Sequence, residues 1–311
     1  MTATEVLVTR GSRASRPRGA VRRHTPHKGA IAIFTGPFGV LFLFFYLIPI
    51  GYAVWQSLLV VQRDGTYGAP TEVFGGLTQY LLVFQNAPFW ESVGRVLLFG
   101  AVQVPVMLGL ALLFALLLDS PALKGKKFFR LAFFAPYAVP GVIAAIMWGF
   151  LYSPNLSPFT DVTQTIDFLS PQLVLWSIAN VVTWVFVGYN MLIIYSALLA
   201  IPSEVYEAAR LDGAGQVRIA WSIKIPMVAP AIILTAVFSI IGTLQLLAEP
   251  QVFRSFSAAV SSTYTPNMTI YATSAIPNTH LAAAFSVVLA LATFVLSFTF
   301  LKLTQRKAAE S

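Results

Sequence analysis

Six long stretches without any Lys, Arg, Asp or Glu alternate with shorter polar segments along the chain. Each stretch can supply the roughly 20 apolar residues that a helix needs to cross a hydrocarbon layer about 30 Å thick. Because backbone groups in lipid must be hydrogen-bonded within the segment, we expect each stretch to be a helix. The predicted spans, three of which extend past the charge-free stretch to include Arg95, Arg130 or Lys302 near one end, are about 31–61, 92–118, 129–152, 172–200, 226–248 and 281–302, within a membrane domain of residues 30–305.

The composition supports a membrane protein. Hydrophobic residues make up 57% of the chain and charged residues only 10%, with a mean hydropathy of +0.75. A water-soluble fold of 311 residues could not bury so much apolar surface. The strands of a membrane barrel would alternate apolar and polar residues, and these stretches do not. The predicted fold class is therefore an all-α membrane protein with six transmembrane helices.

Positive charge is distributed unevenly between the two sides of the predicted bundle. If the N-terminus is cytoplasmic, 17 of the 20 Lys and Arg are cytoplasmic, which leaves only Arg63, Arg95 and Arg254 outside. Cytoplasmic loops carry such an excess, so both termini are predicted to be cytoplasmic. Residues 1–29 are predicted to be a disordered basic tail and residues 306–311 a short second tail. We expect the basic tail to contact anionic lipid rather than nucleic acid, because no aromatic residue interleaves its arginines.

A polar segment interrupts the apolar pattern between the fourth and fifth spans: "EVYEAARLDGAGQVRIAWSIKIPMVAP". We name residues 201–226 the elbow, because the pattern predicts two short helices joined at a glycine. Apolar side chains interleave with the charged ones, which fits either a solvated connector or a docking surface for a partner protein. The elbow is much longer than a simple connector needs to be, which favours the docking surface.

Capping signals predict where the elbow helices begin and end. Ser203 is expected to cap the free amides of the first helix, and Glu207 can pair with Arg210 one turn later. Gly213 predicts the end of that helix, because glycine readily adopts the left-handed conformation of a helix C-terminus. The second helix is expected to end before Pro226, since proline interrupts helical hydrogen bonding.

The elbow resembles the signature cytoplasmic loop of the permease subunits of bacterial ABC importers. In that family the pattern is E-A-A, three residues, G, and after nine or so residues I-x-L-P. The chain departs from it only where an isoleucine replaces the usual leucine. The matching positions are Glu207, Ala208, Ala209, Asp212, Gly213, Ala214, Ile223, Ile225 and Pro226.

The resemblance extends over roughly residues 40–302. Within this range the sequence is similar to the carbohydrate-importing branch of the family. Four further stretches carry this similarity. They are "IPIGYAVWQSL", "FFRLAFFAPYAVPGVIAAIMWGFLY", "WVFVGYNMLIIYSALLAIPSEVYEAA" and "AAAFSVVL".

This resemblance implies an ABC importer permease fold and a role in transport. The chain would form half of the translocation path for a sugar or related polyol across the bacterial cytoplasmic membrane. The elbow would be the coupling loop that sits on a separate cytoplasmic ATPase. Gly213 would supply its turn, Glu207 and Asp212 polar contacts, and Ala208 and Ala209 close packing.

The resemblance also implies partners. These are two ATPase subunits, a second permease that is commonly a paralogue and forms a heterodimer with the first, and an extracytoplasmic solute-binding protein. ATP and Mg would be used by the ATPase, because this chain lacks G-x-x-x-x-G-K-[ST]. The chain itself is expected to be no enzyme and to bind no cofactor.

Polar side chains in the fourth predicted span indicate where a solute could pass. At 100° per residue, Asn180, Thr183, Trp184 and Asn190 fall on one arc, with Tyr189 on the opposite side. Such a face offers hydrogen bonds for sugar hydroxyls and an aromatic plane for stacking. It suits hydrogen bonding between packed helices equally well.

A second and weaker candidate for the solute path lies at the end of the fifth predicted span. There Gln245 and Glu249 are four residues apart, as neighbours on one helix face would be. Gln103 in the second span and Trp148 in the third are expected to pack against other helices rather than contact solute.

Two other functional classes compete with the importer. An ion-coupled secondary transporter or channel usually shows intramembrane carboxylates or facing half-helices, and the six predicted spans contain no acidic residue. A membrane-embedded enzyme needs clustered His, Asp or Glu at membrane depth, which the pattern does not show. The chain has no Cys and only three scattered His, so no metal site or thiol chemistry is expected.

Overall fold

The computed structural model of the chain describes residues 28–63, 65, 68–275 and 278–310. The predicted basic tail therefore lies almost wholly outside the described residues, and so do the side chains of the predicted C-terminal tail. In chain order the elements are α1 (Lys28–Phe42), α2 (Ile48–Gln56), β1 (Leu59–Arg63), β2 (Pro70–Phe74), α3 (Thr78–Gln85), α4 (Ala87–Asp119), α5 (Lys126–Phe134), α6 (Gly141–Tyr152), α7 (Thr160–Thr165), α8 (Val174–Leu199), α9 (Ser203–Leu211), α10 (Gln216–Ile219), α11 (Ile225–Leu244), α12 (Ala248–Phe253), α13 (Pro266–Ala275) and α14 (Thr279–Glu310).

The chain divides into two compact units, Met1–Ile50 and Gly51–Ser311. The described part of the first unit is α1, a π-helical turn at Leu43–Leu47, and the start of α2. The helix ends at Gln56, so the prediction of a span reaching residue 61 is wrong. From Leu59 onwards the β-branched side chains of the sequence favour an extended strand instead.

In the second unit, the end of α2 is followed by an antiparallel hairpin that the long apolar pattern did not indicate. Strand β1 pairs with β2 so that Leu59 lies opposite Phe74. His280 Nε2 lies 3.4 Å from the Glu72 carboxylate, which connects the hairpin to the first turn of α14. The fold class remains all-α, with this hairpin as a small addition.

Five helices of the described chain are long and apolar enough to cross a membrane, and a bent pair can supply a sixth span. The bent pair occupies the predicted third span, where α5 and a 3₁₀ turn at Ala135–Ala138 meet α6 at 95°. The prediction of one continuous third helix is wrong. Pro136 and Pro140 explain the break, because proline lacks an N–H and disfavours helical angles in the residue before it.

Helix α8 occupies the centre of the second unit, where it packs along α4 and also contacts α5, α6 and α11. One buried cluster joins α6, α8 and α12, and another joins α4, α8 and α11. At Gly188 an added Cβ would lie 1.9 Å from the carbonyl oxygen of Phe133. Glycine at this position therefore allows α8 to pass the end of α5 in direct backbone contact.

Helix α10 continues through a π turn at Ala220–Lys224 into α11, so the prediction that Pro226 ends the second elbow helix is wrong. In a regular α-helix the proline ring would clash with the carbonyl four residues earlier. Here the N–H of Ile225 bonds to the oxygen of Ala220, five residues back. This wider turn accommodates the proline without ending the helix.

The first helix uses the same arrangement. Its π turn also stands immediately before an Ile-Pro pair, and the N–H of Ile48 bonds to the oxygen of Leu43, five residues back. Pro49 then follows inside α2. Both helices thus carry a proline in their interior by widening the preceding turn.

Candidate functional site

The first helix of the elbow, α9, begins at Ser203, and Pro202 is its N-cap. The side chain of Ser203 makes no capping hydrogen bond, so the predicted cap is wrong, because this residue has helical backbone angles and lies one residue too late. Glu207 and Arg210 are both exposed and form no ion pair in the described chain. An exposed pair of this kind gains little energy from association.

Helix α9 ends in a Schellman motif centred on Gly213. The N–H of Gly213 bonds to the oxygen of Arg210 at 3.0 Å, and the N–H of Ala214 bonds to the oxygen of Ala209 at 2.9 Å. Gly213 has a φ of +78°, and a Cβ there would meet no atom within 4 Å. Backbone strain, rather than lack of space, requires glycine at this position. The predicted turn at Gly213 is confirmed.

Large apolar side chains project from both helices of the elbow. Leu211 is 89% exposed, Val217 74% and Trp221 71%. Three such side chains in one short segment are unusual for a surface that faces only water, so this surface is suited to contact another protein. Of the other motif positions, Glu207, Ala208, Asp212 and Pro226 are exposed, and Ala209 and Ala214 are half-buried.

A buried ion pair anchors the elbow to the membrane helices. Lys224 Nζ lies 2.5 Å from Asp119 Oδ2 at the end of α4, with the two side chains 9% and 13% exposed. The same Nζ lies 5.0 Å from the centre of the Tyr206 ring on α9. Burial, and then the negative charge of Asp119, raise the pKa of the Tyr206 hydroxyl.

Lys224 connects three elements. It immediately precedes α11, and it contacts Asp119 at the end of α4 and Tyr206 on α9. The sequence pattern did not indicate the pair. Its two members are far apart in the chain, and each stands among other polar residues at the end of an apolar run.

A cavity of about 420 Å³ lies among α4, α8, α11 and α12, and we name it the amide cavity. Its polar lining includes Gln103 from α4, Tyr189 and Asn190 from α8, Gln245 after α11 and Glu249 from α12. Its remaining lining is mainly apolar. A space of this size and character, with a few polar groups directed into it, is typical of a site for a small ligand.

The structure divides the predicted polar arc of α8. Asn190 lines the cavity and is 3% exposed. Asn180 instead donates from Nδ2 to Tyr152 Oη at 2.8 Å, and Thr183 Oγ1 accepts from Gln103 Nε2 at 3.2 Å. Both of these bonds join neighbouring helices, which is the alternative that the sequence left open for this face.

The aromatic side chains of α8 also differ from the expectation. Trp184 packs edge-on against Trp148, with ring centres 6.0 Å apart, in the core between α6 and α8. Tyr189, expected on the opposite side of the helix, lines the cavity and stacks on Tyr137 at 4.7 Å. The angular position of a residue around α8 alone does not show whether its side chain lines the cavity, because the cavity walls come from several elements.

Gln245 and Glu249 reach the cavity from two separate elements. Helix α11 ends at Leu244, Gln245 is its C-cap, and Glu249 belongs to α12. The prediction that the two lie four apart on one helix is therefore wrong, although both line the same cavity. Between the two helices, the oxygen of Leu246 accepts a hydrogen bond from Thr265 Oγ1 at 2.9 Å, so this carbonyl is satisfied although it lies outside both helices.

Gln103 and Tyr189 are two of the lining residues that were not expected in the solute path. The sequence feature that could have identified Gln103 is its amide side chain within a predicted span. Placing a polar side chain at membrane depth costs free energy, and such residues are commonly functional. No group of three or more His, Cys, Asp or Glu in the described chain could hold a metal ion.

Residues 107–306 match the family described as Binding-protein-dependent transport system inner membrane component. The chain is 30% identical over 297 residues to the lactose transport system permease protein LacF of Rhizobium radiobacter, which covers 92% of this chain and 96% of that protein. It is 31% identical over 193 residues to the sn-glycerol-3-phosphate transport system permease protein UgpA of Yersinia pseudotuberculosis. That alignment covers 60% of this chain and 63% of the relative.

Solved structures show the same fold. A bacterial ABC transporter involved in the import of the acidic polysaccharide alginate matches with a TM-score of 0.72 at 17% identity, over 90% of this chain and 96% of that one. The MetNI methionine ABC transporter matches with a TM-score of 0.51 at 18% identity, over 73% and 96% of the two chains. From the matched family and the full-length relative, this multi-pass membrane protein belongs to the binding-protein-dependent transport system inner membrane components, the permease subunits of ABC importers.

Proposed function

We propose that the chain forms half of the translocation path for a sugar or related polyol and is driven by a separate ATPase that docks on the elbow. The observation that carries this proposal is the elbow itself. It combines a Schellman turn at Gly213, exposed apolar side chains on both sides of the turn, and a buried anchor to the membrane helices.

The anchor explains how movement of the elbow would reach the membrane. Because α10 continues without a break into α11, displacement of the second elbow helix tilts the following span directly. The Lys224–Asp119 pair transmits the same displacement to α4. Closure of two ATPases on ATP would then move α4 and α11 together and switch the path between inward-facing and outward-facing states.

The amide cavity supports a polyhydroxylated solute. Asn190, Gln245 and Glu249 supply hydrogen-bonding groups, and the ring of Tyr189 supplies a flat apolar face. Sugars combine hydroxyl groups with apolar ring faces, so this lining suits them. Two curated relatives support the same class by name, the lactose permease LacF and the diacetylchitobiose uptake permease NgcF.

The expected assembly contains a second permease, commonly a paralogue, two cytoplasmic ATPase subunits and an extracytoplasmic solute-binding protein. The family description, which names binding-protein-dependent transport, supports the last of these. We propose that ATP and Mg are bound by the ATPase and that this chain is no enzyme and holds no cofactor. The charge distribution supports cytoplasmic termini and a cytoplasmic elbow in a bacterial inner membrane.

Purification of the chain from its native membrane tests the proposal. An ATPase, a second permease and a binding protein should copurify, and a sugar should stimulate ATP hydrolysis by the reconstituted complex. An ATPase variant that binds but does not hydrolyse ATP should abolish uptake. Uptake that continues with that variant, or without any ATPase, would instead indicate an ion-coupled transporter or a channel.

A further inference from the structure

Two of the three amide side chains that line the amide cavity, Asn190 and Gln103, donate hydrogen bonds within the protein. Asn190 Nδ2 donates to the carbonyl oxygen of Phe186 at 3.1 Å, which fixes the amide orientation because a carbonyl can only accept. Gln103 Nε2 donates to Thr183 Oγ1 at 3.2 Å and lies 3.4 Å from Met107 Sδ. Gln103 Oε1 is buried without a hydrogen-bond partner in the described chain. Both amides therefore leave oxygen acceptors for a ligand.

The third acceptor is the carboxylate of Glu249, which lines the cavity with the side chain 9% exposed. Within the described chain no Lys, Arg or His forms an ion pair with it, and none of the described residues that line the cavity is Lys or Arg. Its Oε1 lies 2.9 Å from the position of a Cβ on Gly141, the first residue of α6. The positive end of that helix therefore faces the carboxylate.

An unpaired carboxylate among membrane helices is costly, and such a group is by default a candidate functional site. The unpartnered oxygen of Gln103 is a second and independent sign of a missing donor, because buried polar atoms are almost always hydrogen-bonded. Sugar hydroxyls can donate to all three groups. A phosphate or carboxylate would bring negative charge into a space whose described lining holds the Glu249 carboxylate and no Lys or Arg, so its charge would be repelled at low dielectric constant.

We propose that Gln103, Asn190 and Glu249 make the amide cavity selective for uncharged sugars with free hydroxyl groups, so that it rejects phosphorylated sugars and sugar acids. This inference rests on the proposed function, since it assigns the solute class of the same path. Tyr189 and Phe186, which also line the cavity, provide the apolar faces against which a sugar ring can stack.

Equilibrium binding to the purified complex in lipid nanodiscs tests the inference, with the solute-binding protein left out so that its own selectivity does not enter. The probes are lactose, cellobiose and maltose, each paired with its aldonic acid, together with N,N′-diacetylchitobiose and glycerol 3-phosphate. We expect at least one neutral sugar to bind about tenfold more tightly than its acid. The Glu249→Gln variant should reduce that ratio to about threefold or less, because it keeps the volume of the side chain and removes the charge.

Two further variants separate selectivity from structure. Asp161→Asn removes an exposed carboxylate on α7, outside the cavity, and should leave the ratio unchanged. Gln103→Met removes one acceptor without changing the charge. It should raise the Kd of the neutral sugar about tenfold and leave the preference over the acid intact. This variant also provides the test if Glu249→Gln does not assemble.

The outcomes distinguish this inference from the proposed function. Acids that bind as tightly as neutral sugars, or a ratio unchanged by Glu249→Gln, overturn the inference while ATP-driven sugar uptake still supports the proposed function. Sugar uptake without any binding in this complex also overturns it. If no probe binds and no sugar drives ATP-dependent uptake, the proposed function fails as well.

Discussion

The elbow and the amide cavity are built in different ways. The elbow is continuous in sequence, and its central turn depends on one residue, Gly213, whose φ of +78° follows from a Schellman motif. The cavity combines side chains from three separate parts of the chain, which are α4, α8 and the consecutive helices α11 and α12. A conformational requirement of the backbone can thus be predicted from a short motif. A binding surface between helices depends on how each helix is rotated against its neighbours.

The largest effect should come from replacing Gly213 with a residue that does not readily adopt the backbone angles of this turn. Gly213→Val places a β-branched side chain at a positive φ, with a strain of about 1–3 kcal/mol, and should rebuild the turn between α9 and α10. We expect ATP-dependent uptake and ATPase copurification to be lost, with membrane insertion intact. Gly213→Asn is the matched control, because asparagine tolerates the left-handed conformation, and it should retain most activity.

Normal uptake by Gly213→Val would show that the turn does not transmit work. Equal loss in the asparagine variant would show that the position is sensitive to side-chain bulk rather than to backbone angle. Either result would mean that the function of the elbow does not depend on the backbone angles of Gly213, so the contrast drawn with the cavity would not hold.

The next largest effect concerns the buried anchor under the elbow. Lys224→Met leaves Asp119 as an unpaired buried charge, which should destabilise the complex by about 3–5 kcal/mol. The double variant with Asp119→Leu should recover much of that loss, because neither charge then remains buried. Chemical unfolding of the single and double variants in detergent measures this coupling. Additive losses would show that the two residues do not act as a pair.

A smaller effect separates the two asparagines of α8. Asn190→Ala should raise the KM for the transported sugar several-fold with little effect on stability, because Asn190 lines the cavity. Asn180→Ala should leave KM unchanged and lower stability by about 1 kcal/mol, since it loses the bond to Tyr152. Uptake kinetics and unfolding midpoints of both variants check this. An exchange of the two outcomes would place the path on the other part of α8.

The membrane class and the apolar segments were predictable, because the lipid environment imposes length and composition on each span. The turn at Gly213 was also predictable, since only glycine takes its backbone angles easily. The continuity of α10 into α11 was not, because a π turn before Pro226 depends on hydrogen bonds that no residue type indicates. The 95° bend between α5 and α6 was not predicted either, although Pro136 and Pro140 explain it, because a proline can also be carried inside a continuous helix, as Pro226 is in α11.

The residues of the cavity were predicted only in part. Asn190, Gln245 and Glu249 were expected near a solute, and the structure brings all three to one space. Thr183 instead accepts a bond from Gln103, whose own oxygen is buried without a hydrogen-bond partner in the described chain. Which amide faces solute and which joins two helices depends on interhelical packing, and that information is not local in the sequence.

The central claim, that the elbow is the surface on which an ATPase docks, can be tested directly because the natural chain contains no Cys. Leu211→Cys introduces a single thiol at an 89% exposed position of the elbow, and Leu77→Cys introduces one at a 67% exposed position beside the hairpin. A short reagent with one thiol-reactive end and one photoactivated end, applied to native membranes and then illuminated, should link the elbow variant to the ATPase without needing a thiol there, with a yield that changes on ATP binding. The Leu77 variant should give no such product. Absence of the ATPase product at Leu211 in a complex that still imports solute would contradict the account.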